Sequence, residues 1–221
     1  VWIAGFNTEN RGAAHAVEYL HSRGIDYELI DFCIRTGRLY ESYPHHNAVF
    51  VGKDKDGQPR YACLRGIGTD FKGEATGSDK RFSFSIPAEE SSQVLYLFES
   101  AIDLLSFAAM AQEDRLPWRS QHLLSLAGVY QPKKNLTERH LPLALSQYLR
   151  DHREIQTIYL CLDNDLAGRS AADAIRQQLA GRYVVLDGFP CQGKDYNDWL
   201  CLRKGLPITR TVSKPERSMA R

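Results

Sequence analysis

The sequence lacks the features that mark several protein classes. Its five cysteines are odd in number and no two have C-x-x-C spacing, which argues against a disulfide scaffold and a structural zinc site. No apolar run approaches the roughly 18 residues of a membrane helix and no signal peptide is recognisable, so we expect a cytoplasmic protein without membrane contact. The sequence also lacks an excess of charge of either sign, because 28 Lys+Arg nearly balance 27 Asp+Glu. Any nucleic-acid-binding surface is therefore expected to be local.

The composition is that of a folded protein, and it changes along the chain. With 221 residues, 43% hydrophobic and 25% charged, the chain suits one large domain or two small ones. We predict an α+β lobe over residues 1–90, an α/β domain over 91–202 and a basic, irregular tail over 203–221. The tail combines basic residues with two prolines, and a solvated tail is its favoured interpretation.

The first 90 residues predict a small lobe built around a β-hairpin. Helix-forming patterns cover residues 11–23 and 26–36, and each is followed by a glycine. Two β-prone runs, 48–51 and 60–65, flank a polar turn that contains Asp56-Gly57. This is a strong short-range hairpin signal. Residues 66–93 predict loops around one more strand at 82–86.

From Val94 onward, strand and helix patterns alternate. Apolar runs predict strands at 94–98, 122–126, 157–162 and 183–187, and helix patterns cover 101–111, 137–153 and 167–180. Alternation of this kind favours a parallel four-stranded sheet with flanking helices. Ligands of such sheets bind at the carboxyl ends of the strands.

Acidic residues stand at those predicted strand ends. Glu99 follows the first strand, Asp163 and Asp165 follow the third, and the segment 194–198 (KDYND) follows the fourth. Carboxylates gathered at one edge repel one another unless a hard cation such as Mg²⁺ lies between them, and such a cation can activate phosphoryl transfer. A single aspartate after a strand more often caps the next helix, and Asp165 could do so. Three clusters at one edge favour the metal site.

These segments resemble the motifs of Toprim domains. The stretch 97–106 (LFESAIDLLS) resembles the first Toprim motif, and 161–172 (CLDNDLAGRSAA) closely resembles the D-x-D-x-A-G-R-x-A-A segment of bacterial DNA primases. The stretch 193–198 (GKDYND) resembles their later G-K-D segment. The resemblance implies a Toprim-type sheet and Mg²⁺ or Mn²⁺ held by the catalytic residues Glu99, Asp163 and Asp165. Asp103 and Asp198 are expected nearby as further ligands.

The amino-terminal half carries a second resemblance. The stretch 19–26 (YLHSRGID) is similar to the segment that opens the primase catalytic region, and the hairpin followed by Arg65-Gly66 resembles the next primase element. The combination looks like an uncharacterised family of plasmid and conjugative-element proteins, in which a domain of unknown function precedes a Toprim domain. It implies a primase-like protein of a mobile element or of DNA replication.

Several polar residues outside the acidic clusters are candidates for ligand contact. Five basic residues could contact phosphate or nucleic acid, although an ordinary charged surface is an equally good interpretation: Arg65, Lys72, Lys80, Arg81 and Lys194. His45-His46 could bind a metal, but a solvated loop before a strand is favoured.

The expected function is metal-dependent phosphoryl or nucleotidyl transfer on single-stranded or structured nucleic acid. Nucleotides are possible substrates, and replication or mobilisation proteins are possible partners. A Toprim nuclease and a non-catalytic, nucleic-acid-binding accessory module are the alternatives, and a third is an unrelated α/β phosphatase or receiver-like domain that uses Asp163. Ser100 stands where many relatives have glycine, which slightly favours divergence. The sequence leaves open whether the substrate is DNA or RNA, and whether it is extended or cleaved.

Overall fold

The computed structural model describes residues 12–128 and 140–208, which build one sheet in each half of the chain. The first half begins with helices α1 (Ala14–Ser22) and α2 (Tyr27–Arg35). Four strands follow: β1 (Leu39–Glu41), β2 (Ala48–Lys53), β3 (Pro59–Arg65) and β4 (Lys72–Glu74). They form an antiparallel sheet in the order β1-β2-β3-β4. The predicted α+β lobe is therefore present.

The predicted hairpin is confirmed, and its turn is organised by one aspartate. The Asp54 carboxylate accepts hydrogen bonds from the backbone N–H groups of Asp56, at 3.0 Å, and Gln58, at 2.9 Å. It also accepts one from Arg60 Nε at 2.6 Å. Gly57 adopts φ of 76°, which a residue with a side chain rarely adopts. The strands β1 and β4 were not predicted, because three residues are too few to show an alternating pattern.

The second sheet contains the four predicted parallel strands and one further strand, which the sequence analysis assigned to the amino-terminal lobe. Its strands are β5 (Ser85–Ile86), β6 (Val94–Phe98), β7 (His122–Ser125), β8 (Thr157–Cys161) and β9 (Val184–Asp187), in the order β5-β7-β6-β8-β9. The strands β6 to β9 are parallel, whereas β5 pairs antiparallel with β7. The expectation of a purely parallel four-stranded sheet is thus corrected to a mixed five-stranded sheet. A two-residue strand carries no periodicity that would assign it to a sheet.

Helices cover both faces of this sheet. They are α3 (Ala101–Glu113), α4 (Leu143–Asp151), α5 (Leu166–Leu179) and α6 (Tyr196–Lys204). Side chains of β6 alternate: Leu95 and Leu97 pack in a core with α4 and α5, while Phe98 packs in a core with α3 and α6. This alternation explains why β6 is apolar throughout, as expected for a strand buried on both faces.

The core on the α3 and α6 face continues into the amino-terminal lobe. Leu20 and Leu29 of that lobe belong to the same buried cluster as Leu104 of α3 and Leu200 of α6. The two halves are therefore joined by continuous apolar packing, which fixes the first sheet beside the second.

The helix α6 was not predicted, and it includes two residues that we placed in the tail. Arg203 Nε lies 3.0 Å from Glu113 Oε2. Lys204 Nζ donates to the Gly24 carbonyl and to Asp26 Oδ1, each at 2.7 Å. Both basic residues thus hold α6 against α3 or the first lobe. The remainder of the predicted tail, from 209, and residues 137–139 of the predicted fourth helix lie outside the described residues.

No helix within residues 12–128 and 140–208 is both long enough and apolar enough to cross a membrane.

Candidate active site

The predicted acidic residues meet at one edge of the parallel sheet. Glu99 directly follows β6, and Asp163 and Asp165 follow the neighbouring parallel strand β8. A cleft of about 510 Å³ lies between this edge and the amino-terminal sheet. Acidic and basic side chains of both halves line it: Glu74, Glu99, Asp103, Asp163, Asp195, Lys194, Arg23, Arg65 and Lys72. We call Glu99, Asp163 and Asp165 the strand-end acids.

A close turn between β8 and α5 positions Asp163 and Asp165. A Cβ at Gly168 would lie 2.1 Å from the Asp163 carbonyl oxygen, so only glycine permits this approach. Asp165 caps α5 by accepting a hydrogen bond from the Gly168 backbone N–H at 2.9 Å. The helix-cap interpretation of Asp165 is therefore correct, and its other carboxylate oxygen, Oδ2, lies 3.2 Å from Lys194 Nζ. The D-x-D-x-A-G spacing encodes this turn.

Lys194 is the cation among the strand-end acids. Its Nζ atom lies 2.9 Å from Asp163 Oδ2 and 3.2 Å from Asp165 Oδ2. Burial favours the neutral amine, but the bonds to Asp163 and Asp165 outweigh it and raise the pKa of Lys194. The ammonium group therefore occupies a position between two carboxylates where a positive charge is stabilised.

One lysine does not offset the negative charge at this edge. Burial, and next the charge of Asp163, raise the pKa of Glu99 to about 7. Burial also raises the pKa of Asp163, in spite of Lys194. By contrast, the Gly168 N–H lowers the pKa of Asp165. The protein has thus placed carboxylates where their ionised forms are costly, which is the usual situation at functional sites.

The chemistry of this donor set fits Mg²⁺ or Mn²⁺. Carboxylate oxygens are hard ligands, and a divalent cation would relieve the repulsion that raises the pKa of Glu99. The carboxylate oxygens of this set are spread apart. Among the described residues, the groups of three ligand atoms that lie within 4.8 Å of one another are formed by other residues. A wider set suits Mg²⁺, which usually keeps several of its water molecules.

Three further acids at this edge stabilise helix starts, and two of them were predicted as metal ligands. Asp103 Oδ2 accepts from Ser100 Oγ at 2.5 Å, and its Oδ1 accepts from the Asn197 N–H at 3.3 Å. Asp195 caps α6 by accepting from the Asp198 N–H at 2.7 Å. Asp198 Oδ2 accepts from the Lys194 N–H at 3.0 Å. These helix-start acids are engaged within the protein, which favours a supporting role for Asp103 and Asp198.

Asn197 is a supporting residue beside the site that sequence reasoning missed. It is buried, and its Nδ2 atom donates to the Arg23 carbonyl and to Ser106 Oγ, each at 2.9 Å. It therefore links the amino-terminal lobe, α3 and α6 directly behind the acidic edge. The available signal was its position between Asp195 and Asp198, whose spacing matches a helix cap and the third residue of the helix.

The basic wall of the cleft comes from the amino-terminal sheet. Arg65 and Lys72 are directly paired across β3 and β4 and both line the cleft. Arg65, and next burial, lower the pKa of Lys72. Arg23 also lines the cleft, and its buried Nε atom has no hydrogen-bond acceptor within the described residues. Positive charge thus faces the strand-end acids across the cleft.

Lys80 and Arg81, the other predicted phosphate contacts, do not line this cleft. Lys80 Nζ lies 2.9 Å from Glu74 Oε1, and Arg81 pairs with Asp79 at 2.6 Å. Each has a neighbouring carboxylate that offsets its charge. Their contact with nucleic acid stays a prediction.

Comparisons with known proteins agree with this architecture. Residues 96–200 match the family described as Toprim-like, and residues 18–91 match the protein family of unknown function DUF3991. A curated relative, the 65 kDa protein of Zymomonas mobilis, is 27% identical over 212 residues. The match covers 91% of this chain and 33% of the relative, so the chain spans about a third of that protein's length.

Solved structures with a similar fold are primases. The primase fragment of the bacteriophage T7 primase-helicase protein aligns with a TM-score of 0.57 and 20% identity, over 86% of this chain and 69% of that one. The DnaG primase catalytic domain bound to ssDNA aligns with a TM-score of 0.51 and 14% identity, over 89% of this chain and 72% of that one. A primase domain in a complex with the T7 lagging-strand DNA polymerase aligns with a TM-score of 0.55 and 19% identity, over 84% of each chain. At such identities the likeness shows the fold alone. The chain is therefore a Toprim-like domain preceded by a DUF3991 domain, with the fold of DNA primase catalytic cores.

Proposed function

We propose that this protein performs metal-dependent nucleotidyl transfer of the primase type on single-stranded nucleic acid. One observation carries the proposal: the cleft has Glu99 and Asp163 on one wall and Arg65 and Lys72, together with Glu74, on the other. A phosphate backbone is attracted by the basic wall, and a divalent cation by the acidic wall. Bringing the two walls together places phosphate beside the metal ligands, as phosphoryl transfer requires.

The proposed roles follow from the positions of the side chains. Glu99, Asp163 and Asp165 would hold Mg²⁺ or Mn²⁺, which when bound neutralises charge on the reacting phosphate. Lys194 is flexible and half exposed, and its Nζ already lies beside Asp163 and Asp165. The ammonium group can turn from these carboxylates toward a phosphate oxygen. Arg65 and Lys72 would position the strand.

The similar structures support the choice of substrate and setting. One primase catalytic domain is bound to ssDNA, and another complex joins primase domains, a lagging-strand polymerase and an RNA/DNA hybrid. By analogy, we propose single-stranded DNA as template, nucleotides as substrates and replication or mobilisation proteins as partners. A mobile-element setting rests on the resemblance of the two-domain combination.

A primer-synthesis assay tests the proposal. The protein is incubated with labelled single-stranded DNA, a nucleotide mixture and Mn²⁺, alongside Asp163→Asn and a control, Asp173→Asn. Asp173 lies on α5 and pairs with Arg176 in an exposed position, away from the cleft. New or extended strands made by the wild type and the control, but not by Asp163→Asn, are the expected result. Shortened DNA would identify a nuclease instead. Binding of DNA without turnover by any of the three would identify an accessory module.

A further inference from the structure

A second cluster of ionisable side chains lies in the amino-terminal lobe. His15 belongs to α1, Glu41 ends β1, and His46 lies in the loop before β2. Glu41 Oε1 lies 2.9 Å from His15 Nδ1 and 2.5 Å from His46 Nδ1. The ligand atoms of the three residues all lie within 4.8 Å of one another. Three separate elements therefore direct two imidazoles and one carboxylate at a common point.

The carboxylate of this cluster is buried, and no lysine or arginine pairs with it within the described residues. The Glu41 side chain is only 4% exposed, and its ion pairs are with His15 and His46. Its second oxygen, Oε2, accepts the Ala16 backbone N–H at 3.0 Å. A buried carboxylate needs a compensating positive charge, which a metal ion held between it and the two imidazoles would supply. The Ala16 N–H fixes the orientation of the carboxylate, as groups behind a metal ligand commonly do.

His46 is held in a backbone conformation that L-residues rarely adopt. Its φ is 53°, in the left-handed region. Its N–H donates to the Ser42 carbonyl at 2.8 Å, and the next residue, Asn47, donates its N–H to Ser42 Oγ at 3.0 Å. The turn therefore enforces a conformation that costs energy, and such costs concentrate where a side chain must be aimed.

We propose that His15, Glu41 and His46 bind one zinc ion. Two imidazoles with one carboxylate are a known zinc ligand set, and three protein ligands leave a fourth position for water. The side chains of His15 and His46 are 57% and 50% exposed, so the ion has a path from solvent. The bound ion would clamp α1 to β1 and to the loop before β2. The two nitrogen ligands give this site a preference for zinc, whereas the oxygen ligands of the acidic edge favour Mg²⁺ or Mn²⁺.

Zinc stoichiometry and affinity test the site. The full chain is dialysed against Zn²⁺ with excess Mg²⁺, which fills the acidic edge, and bound zinc is then measured by elemental analysis. His15→Gln and His46→Gln each remove one ligand and leave the Glu41 contact with Ala16. His45→Gln is the matched control, because His45 is exposed and adjacent to His46. His152→Gln controls for the second histidine group, His122, His152 and Glu154.

The expected result is one zinc ion per chain for the wild type, His45→Gln and His152→Gln. Zinc should bind at least roughly tenfold more weakly to His15→Gln and to His46→Gln. Added Zn²⁺ should also raise the melting temperature of the wild type but not of those two variants. Wild-type affinity in both variants, loss of zinc from His152→Gln, or a wild-type chain without zinc would each overturn the proposal.

Discussion

The strand-end acids and the helix-start acids lie within one edge of one sheet, yet they are used differently. Asp103, Asp195 and Asp198 accept hydrogen bonds from backbone or hydroxyl donors of α3 and α6. Glu99 and Asp163 line the cleft, as Asp103 and Asp195 also do, and Lys194 is the cation that pairs with Asp163 and Asp165. Asp165 shares features of both sets, because it follows β8 and also caps α5.

The difference teaches how the edge tolerates its charge. A carboxylate that accepts backbone N–H groups is stabilised by fixed dipoles and by the positive end of a helix. Burial opposes this stabilisation in both sets, since it raises the pKa of Glu99 and also those of Asp103 and Asp195, whereas the Gly168 N–H lowers the pKa of Asp165. We therefore expect substitutions of strand-end acids to change activity and substitutions near the helix starts to change stability.

The largest expected effect is on catalysis. Asp163→Asn should lower nucleotidyl transfer by a factor on the order of 10²–10³, since stabilisation of the charge on the reacting phosphate contributes most to the rate of such reactions. Unfolding free energy should change by no more than about 1 kcal/mol, because the amide keeps the shape and relieves repulsion. Turnover and urea denaturation are measured on the same preparation. Full turnover by the variant would contradict the catalytic role of the strand-end acids.

The next largest effect is expected on stability, at Asn197, which links the two halves of the chain behind the acidic edge. Asn197→Ala should lower the unfolding free energy by about 2–3 kcal/mol, because the Arg23 carbonyl and the buried Ser106 hydroxyl each lose a partner. Asn164→Ala is the control. Its side chain contacts the exposed Arg169, and we expect a loss under about 0.5 kcal/mol. Urea denaturation checks both. Equal losses would mean that Asn197 does not join the two halves.

A glycine tests how far the strand-end acids Asp163 and Asp165 depend on the turn between β8 and α5. Gly168→Ala places a Cβ against the Asp163 carbonyl and should cost roughly 1–3 kcal/mol. It should also lower turnover, because Asp163 and the Asp165 cap would both shift. Gly12→Ala, where a Cβ meets nothing within 4 Å, is the matched control and should leave both quantities unchanged. A Gly168→Ala variant with wild-type turnover and stability would show that this turn is not needed to position Asp163 and Asp165.

The smallest effect is expected at Lys194. Lys194→Met should lower the metal-free unfolding free energy by no more than about 1 kcal/mol, since the lysine is half exposed and solvent screens its ion pairs. Mg²⁺ should then stabilise the variant more than the wild type, because the ammonium group no longer competes for Asp163. Melting temperatures with and without Mg²⁺ measure this. Lys80→Met, which removes an exposed ion pair with Glu74, should show the wild-type response to Mg²⁺.

Sequence patterns predicted the elements that are long or chemically marked. The apolar runs indicated β6, β7, β8 and β9, and the Asp56-Gly57 turn indicated the hairpin. The positions of Glu99 and Asp163 after parallel strands predicted that they meet at one edge, and both line the cleft. The short strands β1 and β4 escaped prediction, because three residues are too few to show an alternating pattern, and the pairing of the predicted strand β5 with β7 was missed.

The helix α6 escaped for a different reason. Its segment reads as a charged loop followed by a basic tail, and it becomes a helix through the Asp195 cap and through burial of Leu200 in the core. The assignment of Asp103 and Asp198 as metal ligands stays a prediction. Their hydrogen-bond donors, Ser100, Asn197 and Lys194, include residues on other elements that only the fold brings close.

The sequence by itself determined the alternating strands and helices, the acids that follow β6 and β8, and the glycine that lets α5 approach Asp163. These are local properties, written in periodicity and in neighbouring residues. Tertiary structure alone decided which acids face the cleft, that Lys194 pairs with two of them, and that His15, Glu41 and His46 meet. Each of these depends on distances between residues far apart in the chain, and such distances are set by how the helices and sheets pack.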